Sequence, residues 1–347
     1  MAKRELGPAA EQVARAVDTF TGHGDWGVAC SGGPDSMALA AGLAWVARRR
    51  QVRCPVWLVD HQLQPGSGDV VRRAAAALTE KFRAQLDPRV LTVTVISDGS
   101  GPEAAARGVR LAALAAAARH LGVGVLLGHT LDDQAESVLL GLARGSGARS
   151  LAGIPQQRDH DGVRLGRPLL GLRRAVTRQA AEEWGLPVWD DPHNADPRYA
   201  RVRVRDRVLP TLAAELGPGI PEALARTADQ LRVDSDWLDQ QTPTLPAEPR
   251  CAELADLPAP LLHRALRDWL REAGGEVTSG HLLAVVGLVH DWHGQGPLQL
   301  PGLQVSRRAG RLVRHQPTDH QPTDHAPTDH APIDHAPTDH QGRSTRG

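Results

Sequence analysis

Short apolar runs alternate with longer segments of helical periodicity through the first two-thirds of the chain. The apolar runs lie at 26–30, 55–60, 90–96 and 123–128. The segments in which Ala and Leu recur at helical spacing lie near 36–50, 69–85, 103–121, 131–144 and 173–185. This alternation predicts βαβ units, that is, an α/β domain whose parallel sheet carries helices on both faces. Ligands of such sheets bind at the carboxyl ends of the strands.

The pattern changes at the cluster of glycines and prolines in 216–221. Apolar positions beyond it predict helices and a short β-like end, at 221–240, 258–273, 279–293 and 297–314. Residues 316–340 are five tandem pentapeptides with a proline in each, and proline blocks both helix and sheet. Their His and Asp residues could hold a metal loosely, but a solvated tail without function is the simpler interpretation. We predict an α/β domain, a small mainly helical domain and a disordered repeat tail, over 1–216, 217–315 and 316–347.

Composition excludes several classes of protein. No apolar run in the 347 residues reaches the length of a membrane span, and the charged N-terminus lacks a signal-peptide core, so we expect a cytoplasmic protein without a membrane partner. Cys30, Cys54 and Cys251 form no CxxC pair, which argues against a zinc ribbon, a disulfide framework or an iron–sulfur cluster. The formal net charge is zero, but 316–347 carry five Asp and two Arg, which leaves 38 basic and 35 acidic residues elsewhere. This excess is weak support for a nucleic-acid partner.

A glycine-rich loop joins the first apolar run to the first helical segment. It consists of Ser31, Gly32, Gly33, Pro34, Asp35 and Ser36. Adjacent glycines allow close approach of the backbone to a ligand, and amides at the start of a helix bind anions. A carboxylate in such a loop makes sense when a divalent cation bridges it to a phosphate. The loop lacks the ending of a Walker A motif and resembles the SGGxDS loop of enzymes that cleave ATP between the α and β phosphates.

A second polar segment, 128–137, follows the fourth apolar run and opens a helix. Asp133 and Glu136 are three residues apart and therefore share a helical face. Asp132 or Asp133 could simply cap the helix. Carboxylates at the same sheet edge as Asp35 nevertheless favour a metal or catalytic role through Mg²⁺.

Three other polar groups are candidates for nucleotide or nucleic-acid contacts. His61 ends the second strand, where a nucleotide contact and an ordinary turn are both open. Arg107 and Arg110 share a face of the third helix, which either binds phosphate or faces solvent. Positive charge is also concentrated on one strand face or around one helix, at Arg201, Arg203 and Arg205. Such a run is usually a surface feature.

Taken together, these segments resemble the tRNA(Ile)-lysidine synthetases. The resemblance covers roughly 26–215, in family order, through SGGPDS, VDHQL, EAAAR, HTLDDQAES, LARGSG, RPLL and DPHNADPRYAR. It implies an adenylating domain of the HUP (PP-loop) type that uses ATP and Mg²⁺, free L-lysine and an isoleucine tRNA with a CAU anticodon. The wobble cytidine would be adenylated at its C2 oxygen, and the ε-amine of lysine would then displace AMP to give lysidine. The region after 217 matches the family's small tRNA-contacting domain by position and character.

The resemblance also implies a role for each candidate residue. ATP would be bound by the loop from Ser31 to Ser36, His61 and His129. Mg²⁺ would be held by Asp35 and Asp132. Catalysis would involve Asp35, Asp133, Glu136 and, at the activated nucleotide, Arg110. The tRNA would be bound by Arg107, Arg201, Arg203 and Arg205. The sequence departs from the usual family residues at Gln64, Leu111 and Val202, and it leaves a homodimer open.

Two rival functions remain at this point. One is another adenylating enzyme of the same fold, although a tRNA thiolase would need the missing CxxC and an amidotransferase synthetase would need a glutaminase domain. The other is a nucleotide-binding regulatory protein without transfer activity. The presence of Asp35, Asp133 and Glu136 argues against it, because ATP binding alone needs fewer carboxylates. Exchange of pyrophosphate into ATP that depends on tRNA would separate these possibilities.

Overall fold

The computed structural model describes residues 6–60, 67–94, 102–189, 196–275 and 277–315. Contacts divide the chain between Trp237 and Leu238, inside a long helix, into an N-terminal and a C-terminal unit. The glycines and prolines of 216–221 end one helix and begin the next, but the contacts do not divide the chain there. The predicted domain limits therefore stay predictions.

The N-terminal unit is built on a six-stranded sheet. Its strands are β1 (Trp26–Cys30), β2 (Cys54–Asp60), β3 (Leu86–Thr92), β4 (Gly124–Leu126), β5 (Gln157–His160) and β6 (Val163–Gly166). The spatial order is β3-β2-β1-β4-β6-β5, and neighbouring strands are parallel except for β5, which runs antiparallel to β6. The chain adds β2 and β3 on one side of β1, and then β4 and β6 on the other. Strand order therefore reverses between β1 and β4, and such a switch point opens the crevice in which α/β sheets bind ligands.

Helices cover both faces of this sheet, which confirms the predicted fold class. In the first half of the unit they are α1 (Pro8–Thr21), α2 (Pro34–Arg50), α3 (Ser67–Phe82) and α4 (Pro102–Leu121). They continue with α5 (Leu131–Ala143), α6 (Ala148–Leu151), α7 (Arg174–Glu183), α8 (Ala200–Arg203), a π-helical turn (Val204–Val208), α9 (Leu209–Leu216) and α10 (Ile220–Gln241). Val56 and Leu58 of β2 pack in one core with α1, α2, α3 and α7, whereas Trp57 packs in another with α4. The two cores exist because successive strand side chains point to opposite faces.

Several elements of the structure differ from the periodicity-based prediction. Strand β3 spans Leu86–Thr92 instead of 90–96, and it lies at an edge of the sheet, where Pro88 and charged residues are tolerated. Helix α1 was not predicted, although its buried face is formed by small apolar residues at helical spacing. The β5–β6 hairpin was also missed, because β5 is polar and largely exposed.

The C-terminal unit has a core of its own. Its elements are α11 (Cys251–Ala255), α12 (Ala259–Glu272), α13 (Ser279–His290) and the antiparallel strands β7 (Leu298–Leu300), β8 (Leu303–Arg308) and β9 (Arg311–His315). Leu266 and Trp269 of α12 pack with Val285 of α13 and Leu303 of β8. The predicted helices and β-like end of this region are therefore present.

Candidate active site

The glycine-rich loop ends in the first turn of α2. Gly33 is the N-cap residue, and Pro34, which has no N–H to leave unpaired, is the first helical residue. Gly32 has a φ of 86°, in the left-handed region that favours glycine. The Ser36 hydroxyl accepts from the Ser31 N–H at 3.1 Å and donates to the Gly33 carbonyl at 3.0 Å. The loop is thus closed onto a helix start, an arrangement suited to binding phosphate.

The segment after β4 lies directly against this loop. A Cβ atom on Gly128 would stand 3.2 Å from the carbonyl carbon of Asp35 and from the nitrogen of Ser36, so a side chain there would press on α2. Helix α5 then begins with a capping box, in which the Asp133 carboxylate accepts from the Thr130 N–H at 2.8 Å. Two of the three polar clusters expected at this sheet edge therefore meet. The third, around His61, lies outside the described residues.

The start of α7 contributes two side chains that the sequence analysis did not single out. The Thr177 hydroxyl donates to Oδ1 of Asp35. Nε of Arg174 lies 3.7 Å from Oδ2 of Asp35, and its Nη2 lies 3.0 Å from both Oδ1 of Asp133 and Oε1 of Glu136. Arg174 therefore joins the phosphate loop to the acidic face of α5. The only sequence signal was the predicted helix at 173–185, which begins near this sheet edge.

Glu136 is fully buried and its carboxylate meets three guanidinium groups. Arg205 donates from Nε to Oε1 at 2.7 Å and from Nη2 to Oε2 at 3.2 Å. Nε of Arg201 lies 2.9 Å from Oε2, and Arg174 supplies the third guanidinium. A carboxylate with no solvent contact is costly unless such cationic partners surround it. Asp133 and Glu136 thus lie on one face of α5, as predicted, and both contact Arg174.

The arginine block near residue 200 is helical, and its members face different surroundings. Arg201 and Arg205 are four residues apart and both reach Glu136. Arg203 is exposed and donates to the carbonyls of Pro197 and Arg198, at 2.7 Å each. The three predicted tRNA contacts of this block therefore divide into two arginines that contact Glu136 and one on the surface. Their binding to tRNA stays a prediction.

Asp132 connects α5 to α7. Its oxygens accept from Nε and Nη2 of Arg173, at 3.2 and 3.1 Å, and from the backbone N–H of Arg174 at 2.7 Å. Arg173 also pairs with Glu222 of α10 at 2.8 Å. These bonds already occupy both oxygens of Asp132. Its role as a Mg²⁺ ligand stays a prediction that these contacts do not support.

Asp35 and Asp133 differ in how readily they ionise. Burial raises the pKa of Asp35 to about 6, against the opposing hydrogen bond from Thr177. Burial also disfavours ionised Asp133, but the guanidinium of Arg174 and the nearby His129 outweigh it and hold the pKa of Asp133 below its usual value. One carboxylate therefore titrates near neutral pH, while the other remains anionic and suited to holding a cation.

Arg167, directly after β6, is a buried cation that has no carboxylate partner among the described residues. Arg167 is only 3% exposed, and its Nη1 donates to the Pro155 carbonyl at 2.8 Å. Its Nε has no hydrogen-bond partner in the described part of the chain. Burial, with contributions from Arg158 and Arg107, lowers the pKa of Arg167 to about 10. An unpaired buried charge is costly. A buried charge of this kind with a strongly shifted pKa often indicates a binding site.

Neighbouring groups extend this positive region, which we call the cationic corner and define as Arg107, Arg110, His129 and Arg167. Nδ1 of His129 is buried and has no hydrogen-bond partner within the described ranges. Burial lowers the pKa of His129 to about 4, with Arg167 contributing. Burial and Arg107 likewise lower the pKa of Arg110. Among the described residues, no carboxylate forms an ion pair with Arg110 or Arg167. The corner is therefore suited to an anion, and phosphate is the chemistry that matches guanidinium groups.

A Mg²⁺ ion fits this site when phosphate shares its coordination. Within the described ranges, no three His, Cys, Asp or Glu side chains form a group that could hold a metal. Mg²⁺ in nucleotide enzymes is typically held by one or two carboxylates together with phosphate oxygens. Asp35 lies in the first turn of α2, where its carboxylate could hold a Mg²⁺ ion that also binds phosphate in the loop.

Comparison with known proteins decides the family. A PP-loop domain model matches residues 7–212, and a TilS substrate binding domain model matches 250–313. A tRNA(Ile)-lysidine synthase of Leifsonia xyli subsp. xyli is 47% identical over 304 residues, which cover 84% of this chain and 90% of that protein. The chain belongs to the tRNA(Ile)-lysidine synthase family. A member from Streptomyces coelicolor is 49% identical over 301 residues, which cover 83% of this chain and 84% of that protein.

The fold of this lysidine synthase family member is similar to that of a solved structure. The U34-tRNA thiolase NcsA from Methanococcus maripaludis superposes with a TM-score of 0.52 at 19% identity, over 64% of this chain and 79% of that one. The PP-loop match confirms the use of ATP that the SGGPDS loop predicted. Helices capable of crossing a membrane are absent from the described part of the chain. The departures Leu111 and Val202 are buried side chains, and Gln64 lies outside the described residues.

Proposed function

We propose that this chain ligates L-lysine to C2 of the wobble cytidine of an isoleucine tRNA with a CAU anticodon, with conversion of ATP to AMP and pyrophosphate. The observation that supports this most is the junction of the SGGPDS loop with the acidic face of α5, through Arg174, in a member of the tRNA(Ile)-lysidine synthase family. The loop provides a place for the phosphates of ATP, and the acidic face provides a place for an amine.

The reaction has two balanced steps. The C2 oxygen of the cytidine attacks the α-phosphorus of ATP, a new P–O bond forms, the bond to the β-phosphate bridging oxygen breaks, and pyrophosphate leaves. The neutral ε-amine of lysine then attacks C2, the C2–O bond breaks, and AMP leaves. The amine has to lose a proton to react, so a nearby carboxylate is useful both to orient it and to accept the proton.

We assign residues to these steps as follows. The loop from Ser31 to Ser36 would bind the phosphates, and Asp35 would hold Mg²⁺, which when bound neutralises phosphate charge. Asp133 and Glu136 would orient the ε-amine. The cationic corner would bind the substrate phosphate nearest to the reacting nucleotide, which gives Arg110 and His129 a shared role. The remaining tRNA contacts are assigned to Arg203 and the C-terminal unit, and a homodimer stays a prediction.

The cysteines of this chain argue against the alternative activity of a tRNA thiolase. Cys30, Cys54 and Cys251 are all free and buried, and burial raises the pKa of the Cys30 thiol. A buried thiol with a raised pKa is a poor nucleophile and a poor metal ligand.

Exchange of labelled pyrophosphate into ATP tests the first step without lysine. We expect exchange only when the isoleucine tRNA is present, because the tRNA itself is adenylated. Binding of ATP without any tRNA-dependent exchange would instead support the alternative function, a nucleotide-binding regulatory protein without transfer activity.

A further inference from the structure

The guanidinium of Arg174 stands among the three carboxylates assigned to Mg²⁺ and the amine. Its Nη2 is 3.0 Å from an oxygen of Asp133 and from an oxygen of Glu136, and its Nε is 3.7 Å from Asp35. An ammonium group that binds both Asp133 and Glu136 needs the same two oxygens at nearly the same distances. Arg174 therefore occupies the position that the proposed function gives to the ε-ammonium of lysine.

Charge balance reinforces this steric conflict. The cluster's carboxylates are those of Asp35, Asp133 and Glu136. Its guanidinium groups are those of Arg174, Arg201 and Arg205. Each carboxylate is therefore matched by one cation, and the side chain of Glu136 is 0% exposed while that of Asp133 is 13% exposed. A further ammonium would enter a poorly solvated site as an unpaired positive charge, which is unfavourable.

Bound ATP changes this balance. Its phosphates would add several negative charges at the loop, next to Asp35 and within the surroundings of Arg174. Guanidinium groups bind phosphate in a bidentate manner at least as well as they bind carboxylate. The side chain of Arg174 is 23% exposed, whereas that of Glu136 is 0% exposed. Its Nε already lies 3.7 Å from Asp35 of the loop, so Arg174 is placed to turn toward phosphates bound there.

We propose that Arg174 sets the order of substrate binding. It blocks the lysine position until the phosphates of ATP draw it away, so that lysine binds after ATP and not before. Arg174 would act as a positioning residue, since it determines when Asp133 and Glu136 are accessible and does not react itself. This inference rests on the proposed function.

Equilibrium dialysis of labelled lysine with the full chain tests the order. The nucleotide probe is α,β-methylene ATP, whose α–β linkage is not cleaved. Coupling between two sites is typically 5- to 150-fold in affinity, so we expect lysine to bind wild type at least about 10-fold more tightly with the analogue than without it. By reciprocity, lysine should raise the affinity for the analogue by the same factor.

Variants separate the role of Arg174 from general charge effects. Arg174→Gln should bind lysine without the analogue, with most of the coupling lost, whereas Arg174→Lys should retain part of it. Arg173→Gln is the matched control, because Arg173 pairs with Asp132 and Glu222 and contacts none of the three carboxylates around Arg174. It should keep the nucleotide requirement. Thermal melting of each variant establishes that it is folded.

Equal lysine affinity of wild type with and without the analogue would overturn the proposed order, whatever the variants do. Unchanged coupling in folded Arg174→Gln would overturn the assignment to Arg174. The proposed function is judged separately, by incorporation of lysine into tRNA by wild type. Incorporation without ordered binding refutes this inference alone, and failure of incorporation refutes the function on which it rests.

Discussion

Replacement of Glu136 by Gln should strongly destabilise the N-terminal unit. The change keeps the size of the side chain but removes the carboxylate whose oxygens lie 2.9 and 2.7 Å from the Nε atoms of Arg201 and Arg205. It also places an amide N–H₂ where these guanidinium groups need an acceptor. Removal of one partner from a buried ion pair typically costs about 3–5 kcal/mol, because the remaining charge is left uncompensated. For a unit of this size, that corresponds to a fall in melting temperature of roughly 6–20 °C.

Differential scanning calorimetry of the full chain measures this effect, with the transition of the N-terminal unit followed separately from that of the C-terminal unit. Glu222→Gln is the matched control, because Glu222 also pairs with an arginine, Arg173 at 2.8 Å, but is 36% exposed. A surface pair contributes about 0–1 kcal/mol. Equal melting temperatures for the two variants would refute the view that Glu136 organises the cluster. Adding Arg205→Met to Glu136→Gln should recover part of the loss, since it removes one stranded cation.

Three other predictions follow from the ionisation and placement of single residues. Burial raises the pKa of Asp35 in the folded protein from its ordinary value of 3.8 to about 6, so ionisation of Asp35 destabilises the fold as pH rises through this interval. With Mg²⁺ chelated, Asp35→Asn should exceed wild type in stability by about 3 kcal/mol at pH 8 and by almost nothing below pH 4, as measured by urea unfolding at both pH values. A constant difference across pH would contradict this account. Arg167→Met should stabilise the chain by about 1–3 kcal/mol, because it removes an unpaired buried cation, yet should weaken tRNA binding in a filter assay; a variant that is both less stable and fully competent for binding would refute the role of the cationic corner. Arg203→Ala should leave the melting temperature within about 2 °C, since surface changes usually alter stability by less than 0.5 kcal/mol, whereas Arg201→Ala should lower it clearly; similar melting temperatures would argue against their different surroundings.

The parts of the site that could be predicted are those encoded by local sequence. The SGGPDS loop and the start of α5 each combine a strand end, a turn and a helix start within a few residues, and their positions after β1 and β4 follow from the α/β pattern. Contacts made across long separations could not be predicted in this way. Thr177 meets Asp35 across 142 residues, and neither its residue type nor its helical position marks that contact.

The burial of charged side chains also could not be predicted from the sequence. Arg167 begins the RPLL segment of the family resemblance, but the sequence does not mark it as buried. The structure shows that it is 3% exposed and has no ion pair among the described residues. The reverse holds for Arg201 and Arg205, whose spacing suggested a charged surface but whose guanidinium groups contact buried Glu136. Charge patterns in a sequence indicate where cations lie along an element, but the partner depends on which other elements pack against it.

Incorporation of radiolabelled lysine into purified tRNA tests the central claim most directly. The full chain is incubated with ATP, Mg²⁺ and labelled lysine, with either the isoleucine tRNA that has a CAU anticodon or the elongator methionine tRNA that shares this anticodon. The proposed function predicts label in the isoleucine tRNA alone. Absence of label, with ATP still converted to AMP and pyrophosphate when the isoleucine tRNA is present, would contradict the assignment of lysine as the nucleophile.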